Sequence, residues 1–64
     1  MLTDARVGTR VEMRGPYGQP WRPATVVWAG DEMPGGCQRV ITVEADDGAR
    51  LSTILPHSDL RAAP

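Results

Sequence analysis

Apolar and polar positions alternate with a period of two along most of the chain. Residues 7–14, VGTRVEMR, set Val7, Thr9, Val11 and Met13 on one side and Gly8, Arg10, Glu12 and Arg14 on the other. This is the pattern of a half-buried strand. GPYGQP follows, with two glycines and two prolines in six residues. Regular structure has to stop there, and an ordered loop is predicted. A second strand is read in ATVVWA, residues 24–29, led in by Trp21, with Ala24, Val26 and Trp28 on one face and Thr25, Val27 and Ala29 on the other. Pro23 can donate no ladder hydrogen bond and belongs at a strand start or on an edge. After the break GDEMPGG, the β-branched run QRVITVEA places Ile41, Val43 and Ala45 on one face and Val40, Thr42 and Glu44 on the other.

The sharpest local signal is DDG, residues 46–48, because Asp-Gly between two alternating runs supplies the positive φ angles of a tight hairpin. ARLSTIL returns as a fourth strand. PHSDL then offers Pro56 as a breaker and Ser58 or Asp59 as side-chain acceptors for a short 3-10 turn, and LRA closes the sheet as a fifth strand. No ten-residue stretch carries apolar residues at helical spacing, so no α-helix longer than a turn or two is predicted. Five short strands bury a common face by curling on themselves, and the expected fold is an all-β small five-stranded barrel. Residues 7–62 form that single domain, and residues 1–6 are a short N-terminal extension.

A 64-residue domain buries only about 60% of the surface of its unfolded chain, so its stability is marginal and a deep pocket has little room. Cys37 is the single cysteine and cannot pair within the chain, which fits a reducing compartment. The N-terminus MLTDARVGTR lacks the charged and then apolar segments of a signal peptide, and no run of roughly 18 apolar residues exists. A cytoplasmic location with no membrane contact is expected. The net charge of -1 argues against non-specific coating of nucleic acid. The charge is uneven, however, with excess arginine up to Ala29 and excess carboxylate afterwards, so opposite faces of opposite sign are expected. Every basic residue is arginine, which removes lysine Schiff-base chemistry.

VGTRVEMR, WRPATVV, VITVEADDG and LPHSDLR together resemble the Tudor and Agenet type of SH3-like barrel. The likeness spans residues 7–62, and it implies a fold more strongly than a function. In that family an aromatic cage takes methylated lysine or arginine through cation–π attraction. The resemblance makes Trp21 one wall and Tyr17 a second, while the third-strand wall positions carry Ile41 and Ala45. The tail STILPHSDLR also resembles the type II dihydrofolate reductases, tetrameric SH3-like barrels. Their Val-Gln-Ile-Tyr site stretch is replaced here by Ser52, Thr53, Ile54 and Leu55, so the glutamine amide and tyrosine hydroxyl are absent.

Each candidate residue has two readings. Periodicity makes Trp28 a pillar of a core without phenylalanine, and otherwise a contributor to a contact surface. Trp21, between Pro20 and Pro23, is a binding aromatic or a lid over the barrel mouth. Tyr17 at its loop tip stacks a ligand or folds its own loop. Arg10 and Arg14 share one face of the first strand, with Glu12 between them. Together with Arg22 they form a nucleic-acid contact or a solvated, ion-paired surface. Cys37 and His57 are too few for a zinc site, and nothing marks an activated thiol. Asp46 and Asp47 are turn formers. The expected protein is therefore a monomeric or dimeric, non-enzymatic interaction module without a cofactor or metal. It binds a protein partner through Tyr17, Trp21, Arg22 and Trp28. Nucleic acid bound by Arg10, Arg14 and Arg22 is the alternative, and a reductase-like tetramer stands third.

Overall fold

The computed structural model describes residues 1–15, 18–30 and 39–64. Five strands, β1 (Arg10–Met13), β2 (Arg22–Ala29), β3 (Arg39–Ala45), β4 (Arg50–Leu55) and β5 (Leu60–Ala62), pair antiparallel in the order β4-β3-β2-β1-β5. The sheet curls into a half-barrel of the kind found in small SH3-like barrels. Among the described residues there is no helix, and so none that could cross a membrane.

The β3–β4 hairpin follows the sequence pattern closely. Ile41, Val43 and Ala45 are buried on one face, as expected. Residues 46–48 form a three-residue loop in which Gly48 alone has a positive φ, 96°. Its amide donates to the Ala45 carbonyl at 2.9 Å, and the Ala45 amide donates to the Ala49 carbonyl at 2.7 Å. A type I turn closed by a left-handed glycine produces this arrangement, which explains why Asp-Gly works here without two positive φ angles.

Three expectations are corrected. Val7 was placed inward but is 63% exposed. Residues 7 and 8 form a turn at Gly8 (φ 93°), closed by the Thr9 amide on the Arg6 carbonyl, so the strand begins at Arg10. The stretch before β5 makes the expected short turn, with a single i→i+3 hydrogen bond from the Leu60 amide to the His57 carbonyl, 3.3 Å. The side-chain acceptor there is His57 Nδ1, which receives the Asp59 amide at 3.1 Å, and neither Ser58 nor Asp59 fills that role. The short N-terminal extension, residues 1–6, packs onto the barrel. Leu2 and Ala5 are buried in the core, the Leu2 amide bonds the Leu60 carbonyl at 2.8 Å, and the His57 amide bonds the Leu2 carbonyl at 3.2 Å.

The third correction concerns Trp28, which is 52% exposed and does not belong to the core. β2 pairs with β3 as Val26↔Val43 and then Trp28↔Thr42, so Val27 is an extra residue forming a β-bulge. The bulge shifts the alternation by one position. Ala24 and Val26 remain inward, Val27 and Trp28 both face out, and Ala29 returns to pack against the core opposite Ile41. The inward side is already filled by Val26, Ile41, Val43, Leu55 and Leu60, each 0% exposed, and an indole inserted there would overpack it. Removing the extra residue should leave a regular ladder with Trp28 still opposite Thr42. Deletion of Val27 in a Trp21→Phe background is therefore expected to fold cooperatively and to keep the red-shifted emission of an exposed indole. A blue-shifted emission would mean that the strand had slid and taken Trp28 inside.

Candidate functional site

The proposed contact residues do not form one surface. Trp21 and Trp28 stand near opposite ends of β2, about 20 Å apart at the usual rise of a strand. Trp21 lies beside the paired outer face of β1 and β5. The guanidinium carbon of Arg14 sits 4.5 Å from its ring centroid and that of Arg61 sits 4.0 Å away, both within cation–π range. Both arginines are fixed in turn by carboxylates. Arg14 Nη2 is 3.2 Å from Asp59 Oδ1, and Arg61 Nε is 2.8 Å from Glu12 Oε1. The register explains the gathering, since Glu12 opposes Arg61 and the Arg14 amide bonds the Asp59 carbonyl at 2.9 Å. Trp21 is thus only partly exposed and already carries cations supplied by its own chain.

Arg22, one residue further on, points to the opposite face of its strand. Its Nη1 reaches Asp47 Oδ2 at 2.9 Å, while its Nε is buried without a hydrogen-bond partner. Arg10 makes a bidentate pair with Asp46, 3.0 and 3.1 Å, and donates to Thr25 Oγ1 at 2.6 Å. Arg10, Arg14 and Arg22 therefore each meet a carboxylate from the second half of the chain. Conversely, Asp4 and Glu12 meet Arg39 and Arg61. With Arg50–Glu44, every carboxylate among the described residues has an arginine within 3.2 Å. The charge asymmetry along the sequence cancels in space, and faces of opposite sign do not form from these groups. Two shallow depressions, about 280 and 180 Å³, flank Asp46 beside Thr25 and Arg22. Neither is enclosed enough to hold a small molecule away from water.

Trp28 has a different setting. Thr42 and Ser52, hydrogen-bonded to each other at 2.8 Å, lie in line with it across β3 and β4. On the same outward face Val40 opposes Ile54, which is 46% exposed, and Val27 is 37% exposed at the bulge. The indole lies forward along the chain, over Gly30. A Cβ at that position would come within 2.9 Å of Trp28 Cη2, so glycine leaves the space that the ring uses. Ile54 and Arg61 received no role from the sequence. Ile54 could have been found from the outward parity of β4, whereas the meeting of Arg61 with Trp21 depends on the pairing of β1 with β5, which sets Glu12 opposite Arg61, 49 residues on. Tyr17 and Cys37 lie outside the described residues.

The fold and these side chains define a small half-barrel whose described carboxylates are ion-paired and whose outer β2–β3–β4 face exposes Val27, Trp28 and Ile54 among polar residues. No protein-family model matches the chain, and no curated protein or solved structure matches it either.

Two measurements test the electrostatic reading. A double-mutant cycle on Trp21→Ala and Arg61→Ala is expected to give a coupling of about 0.5–1 kcal/mol, the usual size of a cation–π contact at a partly exposed site. A coupling of zero would remove the contact. The Asp46 carboxyl is held below its usual range first by the hydrogen bonds from Arg10. Asp47 is held low first by the Ala49 amide and then by the charge of Arg22. A depressed pKa in the folded state adds stability that is present above the unfolded value, about 3.9, and is lost as the pH falls through the folded value. Stability should fall below about pH 4, and Asp46→Asn with Asp47→Asn should flatten that slope in acid denaturation.

Proposed function

We propose that the protein is a non-enzymatic interaction module that binds a protein partner through the outer face of β2, β3 and β4, with Trp28 as the anchor. The observation that carries this reading is the half-exposed indole of Trp28, turned outward by the β2 bulge on the same sheet face as the exposed Ile54. Exposed tryptophan is enriched where proteins meet, and such anchors dominate binding energy. Trp21 and Arg22 then serve the fold more than the partner, since Trp21 is engaged by Arg14 and Arg61 and Arg22 by Asp47.

The methyl-cation reading drawn from the Tudor resemblance finds less support. Ile41 and Ala45, at the positions of the missing cage walls, are 0% and 3% exposed, and the Trp21 ring would have to release its own arginines. Nucleic acid is disfavoured because Arg10, Arg14 and Arg22 are each neutralised by a carboxylate, which removes the net positive groove that phosphate binding needs. For the reductase reading, the positions that would carry the amide and phenol hold Thr53 and Leu55, and the Leu55 side chain is 0% exposed.

Affinity capture with wild type, Trp28→Ala and Trp21→Ala tests the assignment. Trp28→Ala is expected to weaken retention of the partner by about 30-fold or more, the cost of a tryptophan hot spot. Trp21→Ala should have a smaller effect, in line with its loss of stability. A partner held equally by wild type and Trp28→Ala would sink the surface. Titration with single- and double-stranded oligonucleotides at two salt concentrations is expected to show no tight, salt-sensitive binding.

A further inference from the structure

We infer that the free edge of β4 is a self-pairing edge, through which a second copy of this chain adds antiparallel to form one continuous sheet across a two-fold axis at Ser52. The hairpin hydrogen bonds fix which backbone groups are available. The Ala45 amide bonds the Ala49 carbonyl, and hydrogen-bonded and non-bonded pairs alternate along an antiparallel ladder. Stepping outward through Glu44↔Arg50, Val43↔Leu51 and Thr42↔Ser52 turns the N–H and C=O groups of Leu51, Thr53 and Leu55 toward β3. Those of Arg50, Ser52 and Ile54 point away from the sheet, and all three residues are exposed. Among the described residues β4 has β3 as its one strand neighbour.

The two sheet edges are not treated alike. β5 is three residues long, and its Leu60 carbonyl is occupied by the Leu2 amide. β4 has six residues, RLSTIL, with no proline inside it and no bulge in its pairing. Long edges without such protection are templates for another strand.

A second copy fits this edge better than an arbitrary segment because the strand is complementary to itself. With Ser52 opposite Ser52 of the second copy, Arg50 opposes Ile54 and Ile54 opposes Arg50. All three outward-directed residues then form hydrogen-bonded pairs, each exchanging both N–H···O bonds. Pro56, which has no amide hydrogen to give, falls outside the ladder. The next register along would bring Pro56 opposite Arg50 and lose a donor. The outward side chains also agree, since the aliphatic stem of each Arg50 crosses the exposed Ile54 of the other copy. Arg50 is the one charged residue on the strand, and Glu44 of its own sheet lies 2.9 Å from its Nη2, so the two copies do not present uncompensated like charges.

An interface of this kind is small and belongs to the weak, transient class, so the dimer should depend on concentration. Sedimentation equilibrium from about 10 µM to about 1 mM is expected to show a monomer–dimer equilibrium for wild type. Ser52→Pro removes an amide that faces away from β3, so the sheet keeps its own ladder while the dimer dissociates at least about ten-fold more readily. Ser52→Lys sets two ammonium groups opposite each other at the axis, about 5.5 Å apart at Cα, and should have the same effect. Circular dichroism reports whether each variant folds. Should Ser52→Pro fail to fold, Ser52→Lys carries the test alone. A wild type that remains monomeric to about 1 mM overturns the inference, as does a dimer that survives the folded Ser52 variants. A dimer lost on Trp28→Ala and kept by Ser52→Lys would place self-association on the sheet face and overturn it too. The inference does not depend on the Trp28 partner surface, since the two are separated by these variants.

Discussion

The narrowness of the core on the inner side of β2 governs the rest of the structure. β2 is the longest strand, pairing with β1 along its first half and with β3 from Ala24 to Ala29. Its inward residues are Ala24, Val26 and Ala29, which meet Ala45, Val43 and Ile41 across the β3 ladder. These are small or medium side chains, packed until nothing of Val26, Ile41 or Val43 reaches solvent. Dense packing of this kind resists added volume, because surrounding side chains would have to leave their preferred rotamers. An extra residue in the strand costs one irregular step in a hydrogen-bond ladder. Insertion of an indole would cost more, and so the chain bulges at Val27 and the ring goes outside.

With both tryptophans out of the interior, the core is built from aliphatic residues and methionine, and the chain draws on its ends to complete it. Leu2 and Leu60 pack into the same cluster as Leu55, and the hydrogen bonds of Leu2 tie the N-terminal segment to the turn that precedes β5. A domain of this length buries too small a share of its surface to leave such segments idle. The same economy is visible on the outside. The ion pairs sit on exposed or half-exposed side chains, where each contributes little to stability. Their larger effect is on the surface potential, because Arg10, Arg14 and Arg22 from the first half of the chain meet Asp46, Asp59 and Asp47 from the second. A polyanion approaching this surface meets pairs of opposite charge.

What could be read from the sequence was whatever depended on neighbours in the chain. Ile41, Val43 and Ala45 were legible as a buried face because β3 and β4 keep strict alternation and their turn is announced by Asp-Gly. Trp28 was misread for the same reason, since alternation carried past Val26 assigns it inward and a bulge leaves no compositional mark. Val7 failed because Gly8 starts a turn where the pattern of residues 7–14 implied a strand. The Arg14–Trp21–Arg61 cluster and the choice of carboxylate for each arginine were illegible because they follow from strand order. The adjacency of β1 to both β2 and β5 brings residues 12, 14, 21, 59 and 61 together.

The two tryptophans therefore differ in what satisfies them rather than in which is buried. Trp21 lies among strands that supply cations, and its π face is already engaged by guanidinium groups that are themselves held by carboxylates. Trp28 lies above Gly30 and in line with Thr42 and Ser52, which hydrogen-bond to each other and leave the indole without a polar partner among the described groups. Half of an indole exposed to water forgoes much of the free energy that its burial would supply. Burial inside is prevented by the tightness of the core, and burial against this sheet face is limited by the small side chains around it. What remains is a surface on which covering Trp28 and Ile54 together would release water from apolar groups without disturbing any ion pair of the fold.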